Sequence, residues 1–323
     1  MRQSTHGERR GGSFRWRLCL ALSFVLLLAV TVPVVVSCSR HASERRAADF
    51  IEQHGGLVRY NWQPETGDYN GRSAPFVDAA QRPPAPAWLL TVMGDNWFQH
   101  VERVSLFKDN ATDAAIACLG NFPRLRKIYL FGADLSDASL GKIGQLRNVC
   151  ALDLYWSSLT DSGVESLGRL PQLEELDIGR TQITDAAGPY LSELRSLKRL
   201  RLDNTKFGDK GLGLLRTLVL LERISLGETR VSGKGLESLS ALRNLQDIDV
   251  SGNKISDGSL AALKSLACLR SLDLAYTGVT NRGVQSLIEI RSLERVSLFR
   301  TAVTPDGVKA LRTALPKAQI IAP

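Results

Sequence analysis

Residues 269–292 read LRSLDLAYTGVTNRGVQSLIEIRS. The first half has the form L-x-x-L-x-L-x-x-T-x-V-T, and the second half is a short helical pattern. The phrase recurs with its first position at Val101, Leu125, Val149, Leu173, Leu197, Leu221, Leu245, Leu269 and Leu293, always 24 residues apart and without insertion. A fixed period across nine in-phase copies predicts an array in which each copy is one structural unit.

The positions within a copy have separable jobs. The fourth and sixth, such as Leu272 and Leu274, alternate with polar neighbours, which predicts a strand with one buried face. The ninth is mostly small and polar (Ser157, Thr181, Thr205, Thr229, Asn253, Thr277, Thr301) and can satisfy backbone groups where the chain leaves the strand. The eleventh is apolar from Leu135 to Val303. The twelfth is usually Ser or Thr, a good helix N-cap, because the hydroxyl accepts from an orphan N–H. Asp usually follows and suits the positive end of a helix; in the ninth copy Pro305 stands there, a residue that fits the first helical position. Buried helix positions then recur three apart, as in Leu236, Leu239 and Leu242. One strand and one short helix cannot bury their faces alone, so stacking must supply the core. Gly188-Pro189 should shorten or kink the helix of the fourth copy.

The 24-residue leucine pattern identifies leucine-rich repeats. Ile255-Ser256-Asp257-Gly258 and Leu159-Thr160-Asp161-Ser162-Gly163-Val164 resemble the T-D-x-G-L phrase of the cysteine-containing class, known from F-box substrate receptors and many bacterial repeat proteins. The layout is also similar to bacterial leucine-rich-repeat proteins with one N-terminal membrane segment and a short I-x-x-x-G-G-x-V-x-Y stretch, here Ile51–Tyr60. The resemblance implies an α/β solenoid, with a curved parallel sheet on the concave face and short helices on the convex face. It also implies a non-enzymatic protein-binding module, a receptor or scaffold. The repeats lack the characteristic cysteine and no F-box-like helical segment precedes them, so a ubiquitin-type role is not implied.

Net charge is +8, but residues 1–46 hold eight Arg and two Glu and so account for +6 of it. The basicity flanks one apolar segment rather than marking the array, and no nucleic-acid partner is expected. That segment, Leu18–Val36, has 19 residues and no charge. At about 1.5 Å per residue it spans roughly 28 Å, close to the ~30 Å of a bilayer core. Five Arg precede it and three follow within residues 1–46, which favours a cytoplasmic N-terminus and an array on the far side of the membrane. A retained single-pass anchor is the leading reading. A lipoprotein signal is the second, since Val35-Val36-Ser37-Cys38 resembles a lipobox with Cys38 as the lipidated residue, and an ordinary cleaved signal peptide is the third.

The expected organisation follows: a basic tail (1–17), the anchor or signal segment (18–38), a juxtamembrane segment and N-terminal cap (39–100), nine repeats (101–316) and a terminal edge strand (317–323). Within the cap region, Ser43–His54 can form a short amphipathic helix with Ala47, Phe50 and Ile51 on one side. Gly55-Gly56 ends it, and Leu57–Trp62 alternates like a strand. Residues 63–87 are rich in Pro and Gly and predict an irregular loop. Ala87–Phe98, with Trp88, Leu89, Leu90, Trp97 and Phe98, is expected to cover the open end of the first repeat.

Catalysis has little support. None of the four histidines lies within the repeated strands, and there is no H-E-x-x-H, phosphate loop or nucleophile elbow. Five scattered cysteines define neither a disulfide framework nor a zinc site. The fifth-position column sets Asp153 beside Asp177 and Asp249 beside Asp273, but Arg199 and Arg201 can neutralise Glu175 and Asp177, and the second pair is expected to be solvated. No enzyme activity, cofactor or metal is therefore expected. The expected site is a patch of concave-face aromatics from the first three copies: Phe107, Tyr129, Phe131, Tyr155 and Trp156, with Lys108, Lys127 and Asp153 around it. Aromatic anchors with a polar rim characterise protein interfaces. The competing explanation is that the 63–87 loop folds over the patch and buries it. Later copies carry Tyr276, Phe299 and Arg300 in the same columns. A structural or polysaccharide-binding role in the cell envelope is the alternative function.

Overall fold

The computed structural model describes residues 39–61 and 100–322. The expectations for the basic tail, the 18–36 segment, Cys38, the 63–87 loop and residues 87–98 lie outside the described residues. Among the described residues, no helix is long and apolar enough to cross a membrane.

Eleven strands form one sheet in strict sequence order. They are β1 (Leu57–Tyr60), β2 (Val101–Phe107), β3 (Lys127–Phe131), β4 (Ala151–Asp153), β5 (Glu175–Asp177), β6 (Arg199–Arg201), β7 (Arg223–Ser225), β8 (Asp247–Asp249), β9 (Ser271–Asp273), β10 (Arg295–Ser297) and β11 (Gln319–Ile321). From β2 onward every pairing is parallel and joins residues one period apart, as in Leu200↔Ile224 and Ile248↔Leu272. The repeat period therefore sets the register. Each step returns through a helical turn that buries its apolar face against its neighbours. Leu236, Leu239 and Leu242 are all buried.

Several helices end in a short 3-10 turn, and two repeats depart further from the α form. The fourth repeat has a 3-10 turn at Asp185–Ala187 followed by only Gly188–Leu191, as Pro189 requires. The seventh repeat runs as a 3-10 helix over Asp257–Ser265.

The N-terminal end is closed by a helix over 39–53, which is already formed four residues before the expected start at Ser43. Ala47, Ala48 and Ile51 join the core beside Val101, Val104 and Leu106. Glu44 is buried with them, and its Oε1 accepts from Val101 N at 2.8 Å. Burial raises this carboxyl above its usual range. Gly55 turns the chain at φ +79 into β1, which pairs antiparallel with β2. The other end is closed by β11, with Ile320 in register with Val296.

The polar positions act mostly between repeats. Thr205 and Thr277 donate from Oγ1 to Leu202 O and Leu274 O at 2.6 Å, holding the exit from the strand. Thr112, Ser136, Thr184, Ser232 and Thr280 cap their helices through the side chain. Thr160, Ser256 and Thr304 make no such bond. The Asp that follows the cap binds chiefly the next repeat. Asp209 accepts from Ser232 N at 2.7 Å and from Ser232 Oγ at 2.5 Å. Asp161 holds Thr184 in the same way, and Asp257 holds Thr280.

Candidate binding surface

Every repeat turns out of its strand through a left-handed residue at the eighth position. Lys108, Trp156, Arg180, Asn204, Glu228, Tyr276 and Arg300 have φ between +43 and +59, and Gly132 and Gly252 complete the column at +66 and +69. The amide there continues the ladder, as when Trp156 N donates to Gly179 O at 2.9 Å. Gly132, Gly252 and Asn204 are the residues of this column that tolerate the conformation best. A bulky aromatic there is held against its backbone preference, and two such aromatics, Trp156 and Tyr276, are exposed at 49% and 60%.

The five aromatics expected in one patch separate into a cluster and an outlier. Phe131 stacks on Tyr155 with centroids 5.7 Å apart and meets Trp156 edge-on at 5.6 Å. Phe107 is the register neighbour of Phe131. Tyr129 lies two residues earlier on its strand, is only 7% exposed, and has the Arg103 guanidinium 5.4 Å from its ring centroid. It is a core-like residue of this face rather than a free contact.

Cations border the cluster. Lys108 Nζ sits 4.8 Å from the Trp156 ring and the Arg180 guanidinium 5.9 Å from that of Tyr155. Arg180 was not recognised from the sequence, because it comes from the fourth repeat, where the aromatic column has ended. A concavity of about 490 Å³ opens beside these residues, lined in part by Lys108, Asp134, Trp156, Arg180 and Gln182. A second, smaller group stands near the far end of the array. Tyr276 and Phe299 meet edge-on at 5.6 Å, with the Arg300 guanidinium 5.7 Å from the Phe299 ring.

Two strand-face carboxylates, Glu175 and Asp177, are met by cations of the neighbouring strand. Arg199 pairs with Glu175 at 2.6 Å, and Arg201 Nε lies 3.5 Å from Asp177 and 3.6 Å from Asp203. Asp153 and Asp177 accept from Tyr155 N and Gly179 N, each two residues on. Burial, and then Asp153 alongside, push the Asp177 carboxyl up to about 7. Asp249 and Asp273 are half-buried rather than solvated, since each accepts the amide two residues on, at 2.9 and 2.8 Å. The same short acidic side chain turns back to the strand end in all four places. Among the described residues, no group of three or more His, Cys, Asp or Glu is placed to hold a metal ion.

A parallel sheet of stacked single strands, each returned by a short helix, with its side-chain surface along the strand face, defines a solenoid recognition module. The chain belongs to the leucine-rich-repeat family: residues 100–314 match the family model described as a leucine-rich repeat region. Among solved structures, internalin C2 of Listeria monocytogenes is similar at 25% identity and a TM-score of 0.52, over 63% of this chain and 81% of that one. An internalin (inlF) of the same organism is similar at 18% identity and TM-score 0.49, over 64% of this chain and 69% of that one. A leucine-rich-repeat protein of Leptospira interrogans is similar at 17% identity and TM-score 0.46, over 63% of this chain and 56% of that one. No curated protein matches the sequence. Proteins of this family are typically protein-interaction modules and generally not enzymes.

Proposed function

We propose that this protein binds a protein partner through the aromatic cluster of its first repeats, while residues 18–36 hold it in a membrane with the repeats on the extracytoplasmic side. One observation carries the binding assignment: Trp156 is half-exposed in left-handed backbone, clustered with Phe131 and Tyr155 and bordered by Lys108 and Arg180. An exposed ring held in a disfavoured conformation contributes little to the fold, and aromatic and Arg anchors dominate interface energetics. Phe107 belongs to the same surface as the register neighbour of Phe131. The anchor reading rests on the charge-free run and its Arg flanks.

A photo-crosslinking residue at position 156 of the full chain, in native membranes, tests the binding site against the same residue at position 216, which is exposed on the helix side. A discrete adduct from 156, absent from 216, is expected. Equal labelling from both positions, or none from 156, rejects the site. Carbonate extraction should leave the chain in the membrane pellet with its N-terminus intact. A soluble product beginning after Ser37 would reject the anchor, and an acyl group on Cys38 would replace it by a lipid attachment.

A further inference from the structure

The tenth position of most repeats, Asn110 and Ser158 excepted, is exposed between the left-handed turn and the helix. Over repeats two to four this column holds Asp134, Ser158 and Gln182, and in the next three it holds Lys206, Arg230 and Lys254. Backbone bridges fix the three cations in register, because Lys206 pairs with Thr184, Arg230 with Gly208 and Lys254 with Ser232. Equivalent residues of parallel neighbouring strands lie about 4.8 Å apart, so the three form a single-file ladder. Lys210 and Lys234, exposed in the first turns of the helices that follow, widen it.

No carboxylate pairs directly with any of these five among the described residues. Among the described residues none of them forms an ion pair or a side-chain hydrogen bond, whereas the strand-face cations Arg199, Arg201 and Arg223 are all paired. The nearby carboxylates of Asp185, Asp209 and Asp257 are each held by backbone amides of the next repeat. In the sixth repeat, Gly233 stands where an Asp would be. Glu228 is turned toward Gly252, one repeat further on.

We infer that the Lys206–Arg230–Lys254 ladder is a binding site for an acidic polysaccharide, lying along the solenoid axis with about one anionic sugar per rung. The step matches one sugar of an extended glycan. Carboxylates on one side of an extended peptide recur every ~6.6 Å and would fall out of step. A single-stranded nucleic acid would need stacking platforms, but the eighth positions of these three repeats are Asn204, Glu228 and Gly252. The ladder is separate from the aromatic cluster, so either assignment can fail alone.

The test uses the full chain in detergent on immobilised polygalacturonate, which carries one carboxylate per sugar, with neutral dextran as blank and polyphosphate as the competing anion. Wild type should be retained on polygalacturonate and released by salt, as counterion-driven binding requires. K206Q/R230Q/K254Q should bind about tenfold or more weakly, with an unchanged melting midpoint. K309Q/R312Q/K317Q removes the same charge at the far end and should bind like wild type. The inference is overturned if wild type is not retained, if it prefers polyphosphate, if the ladder variant binds like wild type, or if both variants weaken equally.

Discussion

Gly283 and Asp257 are a fitted pair across a repeat boundary: a Cβ on Gly283 would lie 2.5 Å from Asp257 Oδ1. That oxygen already accepts from Thr280 N at 2.8 Å, while Oδ2 accepts from Thr280 Oγ1 at 2.7 Å. The glycine is absent of side chain so that the preceding repeat's carboxylate can dock on the helix start. Gly211 stands in the same relation to Asp185, at 2.8 Å. Where the position is Ser139 instead, the hydroxyl donates to Asp113 at 2.5 Å. Where it is Ser259, the earlier partner is Gly233, whose added Cβ would meet Ser259 Cβ at 2.8 Å. The D-x-G phrase thus encodes a joint between repeats.

Gly283→Ala should therefore destabilise by about 1–3 kcal/mol, the usual cost of overpacking. Gly258→Ala, where an added Cβ meets nothing within 4 Å, should be neutral or stabilising by roughly 0.5–1 kcal/mol. Denaturant melting of both separates a steric joint from general glycine flexibility. Asp257→Ala combined with Gly283→Ala should cost less than the two single changes added together.

Leu226→Ala should cost about 2–5 kcal/mol, because its side chain is fully buried and leaves a cavity. A loss below ~0.5 kcal/mol in the same melting experiment would contradict the register in which the sixth position faces the core.

Tyr276 offers a test of the left-handed column. Tyr276→Val should lower stability by about 1–3 kcal/mol, since a β-branched residue is an outlier at φ +56. Tyr276→Asn should leave stability unchanged or higher, because Asn tolerates that backbone. Both variants remove the exposed ring, so a difference between them reports the backbone alone.

Asp177 sets the sign of one pH dependence. Its folded pKa is raised from 3.8 to about 7. Between those values the folded state binds the proton more tightly than the unfolded state, so this group's contribution to stability falls as pH rises from about 4 to about 7. Asp177→Asn keeps an acceptor for Gly179 N and removes the titration. The variant should show a flatter stability–pH curve in this window and gain relative to wild type at pH above 7. Equal slopes in the two proteins would contradict the prediction.

The sequence by itself determined the period and the strand and helix faces of the repeats. These follow from a leucine spacing that has only one way to bury its faces, namely by stacking. It also placed the ninth-position hydroxyls, because their bonds are local. Tertiary structure decided which side chains of neighbouring repeats meet outside the strands, and how deeply each is buried. The Asp after the cap read as a charge on its own helix, but Asp113, Asp161, Asp185, Asp209 and Asp257 each bond to the next repeat instead. The aromatic columns read as one patch, yet Tyr129 sinks under Arg103 while Trp156 stands out, because the fifth position faces the sheet surface and the eighth lies on a left-handed turn. Lys206, Arg230 and Lys254 share one repeat position and so one column, but that they stand exposed and without a carboxylate partner among the described residues was decided by the packing around them.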